Sequence, residues 1–110
     1  MCIFCKIAAG EIPASFLYES EKVVAFNDLD PKAPTHILII PRAHFENAGE
    51  LAAADPATAA ELLSVAAQIA KEKAISGYRL VFNTGADAGQ SVFHAHLHLL
   101  AGRAFAWPPG

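Results

Sequence analysis

The chain has 110 residues, 54% of them apolar, and a formal net charge of −3, which suits one folded domain over residues 1–110 and excludes a disordered chain. Lys and Arg are scattered singly, which excludes the basic face that polymeric nucleic acid requires. No apolar run approaches the ~18 residues of a membrane span, and no basic segment leads into an apolar stretch, so a soluble, cytoplasmic protein with no membrane partner is expected.

In chain order, "CIFC" comes first. Cys2 and Cys5 at this spacing suit a metal half-site, a redox pair, or two small half-buried apolar side chains. Redox motifs of the thioredoxin kind follow a strand, and no strand pattern precedes Cys2, which ranks metal above redox. "KIAAGEIP" reads as a short helical turn ended by Gly10 and Pro13. "SFLYES" and "EKVVAFND" read as two strands around a turn at Ser20 to Lys22. "DLDPKAPT" is a loop, because Pro31 and Pro34 block regular structure. "HILIIPR" is an apolar, β-branched strand, expected at the centre of a sheet and covered on both faces, with Pro41 ending it.

Asp55 followed by Pro56 is a helix start, an N-cap with proline in the first turn. Leu62, Leu63, Val65, Ala66, Ile69 and Ala70 then recur at helical spacing, predicting one long helix over residues 56–74 with Gly77 just beyond it. "YRLVFNTG" reads as a strand, "GADAGQS" as a glycine-rich loop, "VFHAHLHLLAG" as the last strand, and "FAWPPG" as an apolar tail. Strands on both sides of one long helix, joined by short links, predict an α+β fold with an antiparallel sheet.

Three of the five histidines, His94, His96 and His98, occupy alternate positions of that last strand. Residues two apart share a face, so the three form a row spaced by roughly 6.6 Å, with Ala95, Leu97 and Leu99 turned into the core. Such a row needs partners for many ring nitrogens, which argues against an incidental polar face. It suits a metal trio of neutral imidazoles. It equally suits phosphate chemistry, because the loop before it holds Asn83, Gly85, Gly89, Gln90 and Ser91, whose glycines let backbone N–H groups approach an anion.

The segment "HAHLHLL", with "IFCKI", "GEIPA", "FNDLDPKAPTH", "LIIPRAH", "GQSVFHAHLHLLAGR" and "WPPG", resembles the histidine triad family, and within it the nucleotide-binding protein branch. The resemblance covers nearly the whole chain. It implies a HIT-like fold: a five-stranded antiparallel sheet with one long and one short helix, dimerising into a continuous sheet. It implies a purine nucleoside phosphoramidase that cleaves the P–N bond of adenosine or guanosine 5′-phosphoramidates and hydrolyses aminoacyl adenylates. The nucleophile maps to His96, through a nucleotidyl-histidine intermediate. That chemistry is sensible for imidazole, whose ordinary pKa of ≈ 6.5 leaves it neutral and nucleophilic near pH 7.

By the same resemblance, His98, Ser91 and the backbone of Gly89 to Ser91 neutralise the phosphoryl charge. Asn83 contacts the phosphate end, Ser91 lies near the leaving amine, and His36 supports the triad together with His94. Ile3, Phe4, Ile7, Phe26 and Leu29 enclose the base, Asp28 accepts from the ribose hydroxyls, and Gln90 joins the phosphate loop. Asn27 stands where some family members carry histidine, so adenine or guanine preference stays open. Metal-binding members imply a structural zinc on Cys2, Cys5, His44 and His94, with no catalytic metal. The resemblance also implies a homodimer in which Trp107 of the tail shapes the partner's site. Two alternatives remain: a dinucleoside polyphosphate hydrolase using the same His96 attack, or a nucleotide-binding regulator with incidental hydrolysis.

Overall fold

The computed structural model describes residues 2–110. Its elements are α1 (Ile3–Ala8), β1 (Phe16–Glu19), β2 (Val23–Asn27), β3 (Thr35–Pro41), α2 (Ala48–Ala54), α3 (Pro56–Glu72), β4 (Arg79–Val81) and β5 (Leu97–Ala101). The five strands form one antiparallel sheet in the order β1-β2-β3-β5-β4. The α+β architecture expected from the pattern is present, with β3 at its centre.

The two faces of the sheet have different fates. Val23, Ala25, Ile37, Ile39, Leu97, Leu99 and Ala101 point to one face and are buried against Leu51 of α2 and Leu62, Val65, Ala66, Ile69 and Ala70 of α3. Each fully buried Leu or Ile of that layer contributes roughly 1.5–3 kcal/mol. On the other face, Val24, Phe26, Leu38 and Ile40 meet the short α1, through Phe4, Ile7 and Ala8, with Ile12, Phe16 and Val92 packed at the margin. Six helical residues cannot cover a five-stranded sheet, so the β5 half of this face stays open and becomes the site.

Several boundaries differ from the expectation. The first helix begins at Ile3, not within "KIAAGEIP", because Cys2 caps it: its Sγ accepts from Cys5 N–H. A second short helix, α2, precedes the long one; Asn47 caps it by accepting from Glu50 N–H, a start signal hidden in an alanine-rich run. α3 ends at Glu72, and the residue with left-handed φ (57°) is Ala74, so Gly77 plays no capping part. β4 is three residues long, because Asn83 onward turns away into a loop that carries a 3-10 turn at Ala86–Ala88.

The last strand is also shorter than the histidine row. Ladder pairing covers only Leu97–Ala101, so His98 alone of the three lies in regular strand. Ala95 N–H instead donates to Phe45 O at 2.7 Å, in the loop after β3. Gly102 then turns the chain at φ +97°, where a Cβ would lie 2.7 Å from the Pro34 ring, so only glycine fits.

Candidate active site

The open half of the sheet forms a cavity of about 510 Å³. Its walls come from α1 (Ile3, Phe4, Ile7), β2 and its following loop (Phe26, Asp28, Leu29, Asp30, Lys32), β3 (His36, Leu38), β4 and its loop (Val81, Asn83, Gly89, Ser91, Val92) and β5 with its approach (His96, His98, Leu100). Twelve residues expected from sequence therefore meet in one space: Ile3, Phe4, Ile7, Phe26, Asp28, Leu29, His36, Asn83, Gly89, Ser91, His96 and His98. Asp30, Lys32, Leu38, Val81, Val92 and Leu100 were not anticipated. The strand ladders could have found some of these, since Leu38 and Val81 flank His98 in register.

Main-chain groups set the tautomers of the cavity histidines, directly for His36 and His96 and through His36 for His98. Lys32 N–H donates to His36 Nδ1 at 3.0 Å, so in the neutral ring the proton sits on Nε2. That Nε2–H points to His98 Nδ1 at 2.9 Å, with Asp28 Oδ2 at 3.4 Å beside it. His98 Nδ1 is thus an acceptor, which leaves its Nε2 as an N–H donor. This Nε2 is buried and has no hydrogen-bond partner among the described residues. His96 Nδ1 lies 2.7 Å from His94 O, a carbonyl that only accepts, so Nδ1 carries the proton and Nε2 keeps its lone pair. The His96 and His98 rings both line the cavity, 4.8 Å apart, the first thus with a free lone pair and the second with an unpartnered N–H.

Burial favours the neutral forms of this relay. Desolvation pushes His98 down to about 4, with His96 and His36 pushing the same way. Burial also lowers His36, outweighing the pull of Asp28 in the opposite direction. Asp28, His36 and His98 lie close enough to suggest a cation site. The 2.9 Å separation of the two ring nitrogens is a hydrogen bond, however, and leaves no room for an ion between them.

His94 keeps the face of the row, against Phe4, but lies at its closed end beside the two cysteines. It is wholly buried, does not line the cavity, and donates from Nε2 to Pro41 O at 2.8 Å. Its Nδ1 lone pair faces two sulfurs, Cys2 Sγ and Cys5 Sγ, each at 3.5 Å, and His44 Nδ1 lies 3.3 Å from Cys5 Sγ. One lone pair cannot accept well from two thiols, but it can share a cation with them. In a tetrahedral zinc site with typical bond lengths, sulfur and nitrogen ligands stand ~3.6 Å apart. The four donor atoms lie within 4.8 Å of one another. Cys2, Cys5, His44 and His94 thus fit a closed Cys2His2 centre in donor type, number and spacing.

Gln90 lies elsewhere than expected, and Asn27 and Trp107 lie outside the cavity wall. Gln90 does not face the cavity: it is buried, receives Gly85 N–H at 2.9 Å and donates to Glu46 O and Val92 O. Its amide is fully used in bracing the loop that carries Gly89 and Ser91. Asn27 lines an adjoining apolar groove that shares Ile3, Ile7, Phe26 and Leu29 with the cavity and continues along Ile12 to Ser15. Trp107, expected at a partner's site and not at that of its own chain, is 83% exposed and lines no wall of this cavity.

Residues 9–105 match the HIT domain family model. The chain belongs to the HIT domain family. The HIT fold is shared in detail with the crystal structure of a HIT family hydrolase from Legionella pneumophila: TM-score 0.94 and 47% identity over the full length of both chains. A 14 kDa zinc-binding protein of Zea mays is 49% identical over 98% of this HIT chain and 87% of its own. The purine nucleoside phosphoramidase of Escherichia coli is 44% identical over 92% of this chain and 87% of its own.

Proposed function

We propose that this HIT family hydrolase is a purine nucleoside phosphoramidase working through a covalent intermediate on His96. The observation that carries the reading is the relay just described: a free His96 Nε2 lone pair beside an unpartnered His98 Nε2–H, on the wall of one cavity. The 44% identity with the Escherichia coli phosphoramidase supports the same reading.

In this mechanism His96 Nε2 attacks the α-phosphorus and the P–N bond to the amine breaks. The amine leaves with a proton, and Ser91 on the cavity rim is suited to pass it. His98 Nε2–H donates to a phosphoryl oxygen, stabilising the charge that builds there. Water then attacks the phosphorus, breaks its bond to His96 and releases the mononucleotide. The His94 carbonyl holds Nδ1–H throughout, keeping the ring in the nucleophilic tautomer. Asn83 and the Gly89–Ser91 backbone serve the phosphate. Asp28, whose Oδ1 already accepts Asp30 N–H at 2.8 Å, keeps lone pairs for the ribose diol. Ile3, Phe4, Ile7, Phe26 and Leu29 sandwich the base, and Leu29, 99% exposed, is the side chain with most surface to gain from that contact.

A zinc ion on Cys2, Cys5, His44 and His94 would be structural, since four protein ligands leave no open position for chemistry. The homodimer and the cytoplasmic setting belong to the same reading. The exposed Leu63, Phe93 and Trp107 and the unpaired edge of β4 supply surface for a second copy.

His96→Ala is expected to lower hydrolysis of an adenosine 5′-phosphoramidate by at least ~10³-fold while mononucleotide binding persists. Rapid-quench trapping should place labelled nucleotide on His96 of the unmutated protein. Near-normal turnover by the variant would defeat the mechanism. Faster cleavage of a diadenosine polyphosphate than of the phosphoramidate would move the protein to the P–O–P reading.

A further inference from the structure

α1 serves two sites at once. Cys2 and Cys5 turn toward His44 and His94, while Ile3, Phe4 and Ile7 line the cavity. Six residues are too few for a helix to hold itself, so its position depends on what grips it. Its C-terminal end is held by Arg42, which donates to Ala8 O at 2.8 Å. Its N-terminal end is held by the two thiols. Between the grips, the Phe4 ring stands edge-on to Phe26, His94 and His96 at 5.8, 6.0 and 5.0 Å.

His94 provides a second path. Its ring belongs to the thiol cluster, and its carbonyl receives His96 Nδ1–H. A change in how that ring is held is a change in the residue that orients His96.

We propose that the Cys2/Cys5/His44/His94 cluster governs nucleotide binding: a zinc ion there sets the nucleoside wall through α1 and Phe4, and joining the two thiols as a disulfide withdraws it. The inference rests on the nucleotide-site reading above. Coupling between sites is reciprocal, so a mononucleotide must tighten zinc binding by the factor with which zinc tightens the mononucleotide. The two sulfurs lie within 4.8 Å of each other and both cysteines are only partly buried.

The oxidant is a small-molecule disulfide. One cysteine thiolate attacks it, forming a mixed disulfide and expelling one thiolate. The other cysteine then attacks the protein-bound sulfur and expels the second. Two protein thiols become one disulfide, the reagent gains the two electrons, and its two thiolates take up the two protons. The disulfide no longer supplies thiolate ligands, so His44 and His94 alone face the cation.

The test measures AMP and GMP binding by calorimetry to three forms of the full chain: zinc-loaded, zinc-free reduced, and oxidised with excess glutathione disulfide. A competing chromophoric chelator gives zinc affinity with and without the mononucleotide. The expected result is at least ~5-fold tighter mononucleotide binding by the zinc-loaded form, an equal factor in zinc affinity, and recovery after reduction and reloading. Phe4→Leu, which keeps all four ligands, should bind zinc yet show a smaller factor. Equal affinities in the three forms, or an undiminished factor in Phe4→Leu, overturn the proposal. Loss of the overall circular dichroism spectrum on removing zinc also overturns it, because the effect would then be global. Absence of mononucleotide binding in every form overturns the nucleotide-site reading itself, and the coupling with it.

Discussion

Acidification should destabilise this protein through His98, and substituting that one residue should remove a measurable part of the effect. An unfolded histidine titrates near 6.5, whereas burial beside His96 and His36 holds folded His98 at about 4. Above pH 6.5 the ring is neutral in both states and its contribution is fully retained. Between the two values the unfolded chain binds a proton that the folded chain refuses, so stability falls as pH falls. Below about 4 both states are protonated and no more is lost. Each pH unit of separation is worth ~1.4 kcal/mol, which makes the full loss about 3 kcal/mol, an upper limit because water reaches part of the ring. Burial depresses His36 and His94 in the same direction and adds to the slope. Urea denaturation of metal-stripped protein from pH 7.5 to 4, for the unmutated chain and His98→Gln, isolates the His98 share. The unmutated chain should lose more, by as much as about 3 kcal/mol. Parallel pH curves for the two proteins would refute the reasoning.

Gly102→Ala should cost about 2–4 kcal/mol in urea denaturation, combining a disfavoured φ with a clash against Pro34. Gly10→Ala shares the positive φ but has no neighbour within 4 Å, and should cost distinctly less. Protein purified without a metal-affinity tag should hold about one zinc per chain by elemental analysis, and Cys5→Ser or His44→Ala should lower that content. Sedimentation equilibrium should find a dimer at micromolar concentration. Deleting residues 107–110 should change preference between two phosphoramidates differing only in the amine more than it changes stability.

Much of this site could be read from the sequence because its chemistry is concentrated in short motifs. The alternation of His96 and His98 with Leu97 and Leu99 marked which side chains share a face, and burial agrees with that assignment. The same alternation holds for His94, which stays on the α1 face beside Phe4 and the two cysteines while Ala95 joins the helix-side core. Period-two spacing continues through residue 94, but the ladder does not, because the Ala95 amide finds Phe45 instead of a strand neighbour. Gln90, in contrast, was misplaced. Its position in a polar loop suggested a ligand contact, while its buried amide is used up by three groups, one of them 44 residues away in the chain. Local pattern carries no information about such distant partners. The "CIFC" cluster shows the opposite case: spacing marked the two cysteines, the family resemblance added His44 and His94, and folding brings the four donor atoms within 4.8 Å of one another.

The histidine relay starts at a peptide N–H and not at a side chain. Lys32 fixes the His36 tautomer with its backbone amide, and through it decides which His98 nitrogen bears a proton. Every amino acid except proline provides that amide. The side chain at position 32 is therefore free to drift without moving the proton, and the same holds for the carbonyls of Pro41 and His94. Proton placement is inherited from the course of the main chain, so it tolerates mutation for as long as the sheet keeps its register.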